Sequence, residues 1–207
     1  MKIFEPITIN GMRLENRIVM APMLTRMTAC GEQETAYYME RARGGAGLIM
    51  RHAVSVEVAS QPSFADTLKP LVNAVHKEGA KMSCQLSVSI HRPPHRRDYF
   101  RGERVGPSAV QGRRELTVAE IKEIISLYGP SAVQVREAGF DALEIHGAHG
   151  LPPCIFFSPA DNLRNDEYGG DVQRRMRFGL DIVASVREAV GSDYPLFYRM
   201  AAEEERP

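Results

Sequence analysis

Five short apolar segments alternate along this chain with amphipathic stretches of helical period, and that alternation limits the fold more than any other feature. The apolar segments are "RIVMAPM" (17–23), "GLIMRHAVSV" (47–56), "KMSCQLSVS" (81–89), "FDALEIH" (140–146) and "PLFYRMA" (195–201). Between them, helices are expected over 34–47, 66–80, 116–139 and 171–191. Gly44 and Gly45 stop the first helix. Leu68, Leu71, Val72 and Val75 share one face of the second. Thr117 and Glu120 form a capping box at the start of the third, which Pro130 is expected to interrupt and kink. Strands that are apolar throughout belong to a parallel sheet covered by helices. No GxGxxG follows the first strand, which argues against a dinucleotide-binding sheet. The expectation is one domain, residues 1–207, built as a (β/α)8 barrel that is incomplete here, with about five β-α units.

Composition removes several function classes. Formal net charge is zero and the pI is about 7.0, so nothing global favours nucleic acid or an anionic membrane. No apolar run approaches the ~20 residues that span a bilayer, and the N-terminus lacks the apolar core of a signal peptide. Cys30, Cys84 and Cys154 are far apart and odd in number, which suggests neither a disulfide framework nor a CxxC metal site. A reducing cytoplasm is the expected compartment.

The residues that carry chemistry fall at strand ends, where a barrel keeps its reactive groups: Gln85, His146 and Arg199. His149 follows His146 by three residues in "DALEIHGAHG". A zinc site wants three or four ligands, and no third ligand accompanies the pair, so no metal is expected. From the residues alone, the pair carries function or merely caps a strand and fills a loop.

"NRIVMAPM", "YYMERARGGAGLI", "AGFDALEIHGAHG" and "SPADNLRNDEYGGDVQRRMRFGLDIV" together resemble the old yellow enzyme family of flavin oxidoreductases, most closely its 2-enoate and 2,4-dienoyl-CoA reductase branch. The resemblance runs from Phe4 to Arg206. It implies an FMN-binding (β/α)8 barrel, represented here by its N-terminal portion. It also implies hydride transfer from NADH or NADPH through flavin to an activated alkene. A 4Fe-4S cluster belongs only to longer forms of the family, with its cysteines beyond residue 207. By resemblance, His146 and His149 hydrogen-bond the carbonyl oxygen of the substrate, as an oxyanion hole does. Ala21, Pro22 and Met23 lie along the isoalloxazine ring. Leu24 occupies the place of a small polar residue near the flavin O4–N5 edge, with Thr25 one position later. Gln85 pairs with the flavin pyrimidine, and Arg199 stands near N1 and O2, where a fixed cation favours the reduced, anionic ring. The residue-level alternatives are a strand stop at Pro22, a buried structural glutamine, and a salt bridge within the barrel.

Three departures qualify the resemblance. Leu151 stands where the family has a tyrosine proton donor, and a leucine donates no proton. Pro152 and Pro153 follow it and remove two backbone donors. The segment 91–104 carries Arg92, Arg96, Arg97, Arg101 and Arg104, and reads either as a solvated lid or as a grip on a CoA or nucleotide phosphate. Finally, a barrel of this kind needs roughly 250 residues and binds phosphate after strands seven and eight. Residues 1–207 are therefore expected to leave open sheet edges and to bind FMN poorly on their own. The competing readings are a catalytically silent relative and a flavin-free, phosphate-binding barrel. Amphipathic helices allow a homo-oligomer.

Overall fold

A computed structural model describes residues 1–88 and 104–204. The chain opens with a hairpin that the alternation did not reveal, β1 (Ile7–Ile9) paired antiparallel with β2 (Met12–Leu14). Asn10 and Gly11 turn it, both with positive φ (45° and 84°). A tight two-residue hairpin turn asks for that, and an Asn–Gly pair supplies it at low cost.

The remaining elements follow in order: β3 (Val19–Met20), α1 (Glu32–Arg43), β4 (Leu48–Ser55), α2 (Val56–Ala59), α3 (Phe64–Lys77) and β5 (Lys81–Ser87). After them come β6 (Val105–Gly106), β7 (Arg114–Glu115), α4 (Val118–Glu137), β8 (Ala142–Gly147), α5 (Pro152–Phe157), α6 (Val172–Val190) and β9 (Leu196–Met200). Strands β3-β4-β5-β8-β9 form one parallel sheet in chain order, an α/β half-barrel. The five strands match the five apolar segments, trimmed at their ends except that β8 runs one residue further, to Gly147. The first shrinks most, to Val19–Met20, and 21–23 continue as irregular chain.

Both faces of the central strands β4, β5 and β8 are largely covered, which is why these strands read as apolar runs, whereas the edge strands β3 and β9 remain partly exposed. Ile49, Met82, Cys84, Leu143 and Ile145 point outward into a cluster shared with Leu68, Leu71, Val72 and Val75 of α3 and Ile121 and Ile124 of α4. Leu48, Met50 and Ala142 point inward and meet Met12 and Leu14 of the hairpin, with Phe197 packed against them. The hairpin thus plugs the inner face near the N-terminal ends of the strands.

Helix α4 starts as its sequence dictates. The Thr117 hydroxyl accepts the Glu120 N–H, and the Glu120 carboxylate accepts the Thr117 N–H. The interruption expected at Pro130 does not occur, and the helix runs unbroken from Val118 to Glu137. Pro130 and Ser126, whose carbonyl it leaves without a helical partner, both lie on the exposed face, where water can serve that carbonyl. Pro70 in α3 repeats the arrangement, with Pro70 and Asp66 both exposed.

The block "SPADNLRNDEYGG" is a scaffold. Ser158, Asp161, Asn162 and Arg164 are all buried. Asn162 Nδ2 donates to the carbonyls of Phe156 and Tyr168, and Arg164 Nη1 donates to those of Pro107 and Leu116. These bonds tie the loop before α6 to the β6–β7 pair. Gly169 permits the fold-back, since a Cβ there would lie 2.3 Å from Arg164 Cβ.

Candidate active site

Strand register assembles the site. In a parallel sheet, partners in register point to the same face, and alternate residues of a strand do as well. Gln85 pairs with Glu144, Glu144 with Phe197, and His146 with Arg199. Gln85, Glu144, His146 and Arg199 therefore share the inner face, toward the C-terminal ends of β5, β8 and β9. That is the end at which barrels do chemistry.

His149 reaches the same place through a turn. It adopts φ 57°, in the left-handed region, and Gly150 follows at φ 71°. Histidine is one of the few residues found there with any frequency. The turn folds the His149 ring back against His146, with centroids 5.0 Å apart and planes at 84°. His146 Nε2 lies 3.3 Å from His149 Nδ1, and Arg199 Nη2 lies 3.4 Å from His149 Nε2. The Ala148 N–H donates to His146 Nδ1 over 3.4 Å.

Those contacts constrain the protons. Burial, then the neighbouring His149 and Arg199, push the His146 pKa down to about 4. His146 is therefore neutral at pH 7 and carries one N–H. If Nδ1 accepts from Ala148, the proton is on Nε2 and is donated to His149 Nδ1. His149 then carries its proton on Nε2, where it confronts Arg199 rather than accepting from it. In this arrangement the His146 Nε2–H is held by His149 Nδ1 and the His149 Nε2–H points away from it, so a developing oxyanion would have to draw the first proton out of the His146–His149 contact.

Glu144 was not singled out from sequence, although "LEIHG" contains it beside the histidine. It is 7% exposed and accepts a hydrogen bond from Gln85 Nε2 over 2.5 Å. Burial pushes its carboxyl pKa up, while the Gln85 bond and the Arg199 charge pull the other way. Arg199 itself is half-buried, and among the described residues no carboxylate stands within ion-pair distance of it. A signal was available: Glu144 precedes His146 by two in a strand, so the two must share a face.

The segment from β3 borders the same mouth. Ala21, Met23 and Leu24 are exposed, Leu24 to 67%, while Pro22 and Thr25 are half-buried. The Thr25 hydroxyl accepts from Met27 N over 3.4 Å, which leaves its own proton free to donate. Leu151 caps α5. Cys154 lines an apolar cavity of about 310 Å³ with Tyr198, Phe157, Met176 and Leu180, on the side of β9 opposite Arg199. Among the described residues no group of three metal-ligating side chains occurs. No helix among them is long and apolar enough to cross a membrane. Of the arginine-rich segment, Arg92, Arg96, Arg97 and Arg101 lie outside the described residues, and Arg104 is exposed.

Comparison with known proteins places this geometry in a lineage. A "Metal reductase" of Desulforamulus reducens is 39% identical over 99% of this chain and 33% of its own length. A "NADH oxidase" of Thermoanaerobacter brockii is 37% identical over 98% of this chain and 34% of its own. A "NADPH dehydrogenase" of Clostridium acetobutylicum is 37% identical over all of this chain and 66% of its own. The chain thus spans from one third to about two thirds of these relatives. Among solved structures, morphinone reductase in complex with tetrahydroNAD superposes with a TM-score of 0.83 at 27% identity, over 97% of this chain and 64% of that one. Old Yellow Enzyme from Pichia sp. AKU4542 gives 0.83 at 26% identity, over 96% and 59%. The family model of the NADH:flavin oxidoreductase / NADH oxidase family matches residues 2–206, and this chain belongs to that family, the old yellow enzyme family of barrel oxidoreductases.

Proposed function

We propose that this chain supplies the ring-binding and substrate-activating part of an FMN-dependent oxidoreductase that reduces an activated C=C bond of the enoate, enone or dienoyl-CoA type. The observation that carries this reading is the convergence of Gln85, His146, His149 and Arg199 on the inner face at the strand ends. These residues fit the cofactor. The exposed Met23 and Leu24 offer apolar surface to a flat ring, and the Thr25 hydroxyl is available as a donor. Gln85 offers an amide to the pyrimidine edge. Arg199, with no carboxylate in ion-pair distance among the described residues, offers a cation to N1 and O2. Bound FMN would take hydride from NADH or NADPH and supply it to the alkene.

The chain's own residues do the rest. The His146 Nε2–H exchanges its contact with His149 Nδ1 for the substrate's carbonyl oxygen, and His149 holds the same oxygen from beside it. Addition of hydride at the β-carbon places negative charge on that oxygen, and the neutral His146 imidazole stabilises it by donating a hydrogen bond without transferring its proton. The proton that completes reduction at the α-carbon comes from solvent, since Leu151 has none to give and Cys154 lines the cavity on the other side of β9.

Titration with FMN, followed by quenching of flavin fluorescence, tests the reading. Weak binding is expected, since the phosphate site of such a barrel follows strands seven and eight, and it is expected to weaken about tenfold further in Arg199→Leu, as befits loss of a charge-assisted contact of ~1.5 kcal/mol. Binding that is indifferent to both Arg199→Leu and Gln85→Ala overturns it.

A further inference from the structure

We propose that Glu144 is a positioning residue whose carboxylate fixes which atom of the Gln85 amide faces the flavin ring edge. The proposal rests on the flavin reading above and adds a residue to it.

A glutamine amide has two ends of opposite polarity, and its value at a ring edge depends on which end points where. Nothing in the glutamine settles this, because a half-turn about its last bond exchanges the two ends. Glu144 settles it from one side. It is the in-register neighbour of Gln85 on the same face, and its Oε1 stands 2.5 Å from Gln85 Nε2. An ionised carboxylate only accepts. Gln85 must therefore turn its NH2 group toward Glu144, which leaves Oε1 as its free acceptor. A free acceptor is what an imide N–H, such as flavin N3–H, requires. The second N–H of the same amide then remains for a ring carbonyl.

The surroundings make this orientation depend on one proton. A neutral Glu144 carries an O–H that can donate to Gln85 Oε1, so protonation permits the opposite rotation. Among the described residues, few other charges face Glu144. His146 stands two residues along its own strand, Arg199 faces it from β9, and its register partner there is Phe197. On the far side of Gln85, Arg51 and His52 of β4 are engaged by Glu34 and Tyr38 of α1. Lys81, lower on β5, is bound to Asp141. Burial favours the neutral form of Glu144 and raises its carboxyl pKa, against the Gln85 bond and the Arg199 charge, which lower it.

The test uses the full 207-residue chain. Riboflavin is the probe, since it carries the ring without a phosphate that titrates. The side-chain NH2 resonances of Gln85 are followed by NMR from pH 8 to 4.5 without ligand. They are expected to move with the Glu144 carboxyl, and to stay flat in Glu144→Gln. Riboflavin affinity, read by fluorescence quenching, is expected to weaken about fivefold over the same range in the wild type. In Glu144→Gln it is expected to be weak from the start and lose that pH dependence. Glu144→Asp keeps the charge but shortens the reach, so it should bind riboflavin as poorly as Glu144→Gln. Thermal melting checks that each variant is folded. Gln85 resonances that ignore pH in the wild type, or a Glu144→Gln variant with wild-type affinity and pH profile, overturn the proposal. A Gln85 amide that titrates in a chain that does not quench riboflavin overturns the flavin reading instead, and with it the role of Glu144.

Discussion

His146 and His149 meet edge to face, Nε2 of the first 3.3 Å from Nδ1 of the second, because His149 accepts a left-handed backbone. The ring of a residue three positions on could not otherwise return to the end of β8. In the assembled holoenzyme, His146→Leu is expected to lower kcat/KM for an enone by about 10²–10³-fold, the cost of one preorganised oxyanion donor. Reduction of flavin by NADPH, measured anaerobically at the flavin absorbance band, should change by less than about threefold, because the developing oxyanion is absent from that half-reaction. Equal losses in both half-reactions would mean that His146 serves the fold or the flavin instead.

Two histidines make stability depend on acid. Burial, then Arg51, hold the His52 pKa down to about 4, and burial with His149 and Arg199 does the same for His146. Both values lie below the 6.5 of an unfolded histidine, so the unfolded chain binds protons first. Stability is then full above pH 6.5 and declines as pH falls toward 4. Each histidine contributes on the order of 1–3 kcal/mol over that window. Urea midpoints measured at half-unit steps should fall through it, and His52→Gln should flatten the slope. A midpoint constant from pH 7 to 4.5 would show that neither ring is held neutral by the fold.

What the sequence disclosed, and what it hid, follow from the range of the forces involved. Periodicity is local and strong where a segment is buried on both faces, so the five strands and the helices between them were legible from apolar runs. The α4 cap was legible because Thr117 and Glu120 act within one turn. Pro130 misled because the rule for proline concerns the lost bond, whereas its cost depends on whether Ser126 faces water, which only packing decides. The strand-end positions of Gln85, His146 and Arg199 were visible as polar residues closing apolar runs. The partnership of Gln85 with Glu144 was not, since it spans 59 positions and exists only through strand register.

Asp141, at the opposite end of the sheet, offers a contrast. Its Oδ2 accepts from His76 Nε2 at 2.7 Å and Met82 N at 2.9 Å, and its Oδ1 from Lys81 Nζ at 2.8 Å. Burial pushes its carboxyl pKa up, but these three donors outweigh it and hold the pKa below 3.8. The stability it contributes is present above pH 3.8 and lost as pH falls below that. Asp141→Ala should cost about 1–2 kcal/mol in urea unfolding at pH 7, chiefly from the Met82 N–H that it leaves unpaired, since the half-exposed Lys81 and His76 side chains can turn to water. Riboflavin affinity should stay within about twofold, since the N-terminal strand ends lie away from the site. A large loss of affinity in a folded Asp141→Ala chain would contradict the division between a supporting end and a reactive end.

Tyr198 separates two glycines by how each depends on it. A Cβ on Gly147 would lie 2.5 Å from Tyr198 Cε1, in the body of the ring. A Cβ on Gly179 would meet only the hydroxyl, at 2.7 Å, with Cζ next at 3.5 Å. Tyr198→Phe removes the second obstacle and leaves the first. Gly147→Ala should therefore destabilise by about 1–3 kcal/mol in either background, as overpacking does. Gly179→Ala should destabilise the wild type, yet stabilise the Tyr198→Phe variant by up to about 1 kcal/mol, because alanine outranks glycine inside a helix such as α6. Urea unfolding of the double-mutant cycles measures both couplings. Relief of Gly147→Ala by Tyr198→Phe would mean that the ring moves freely. Tyr198 would then not be wedged between β8 and α6, and the wall of the apolar cavity it lines would not be fixed.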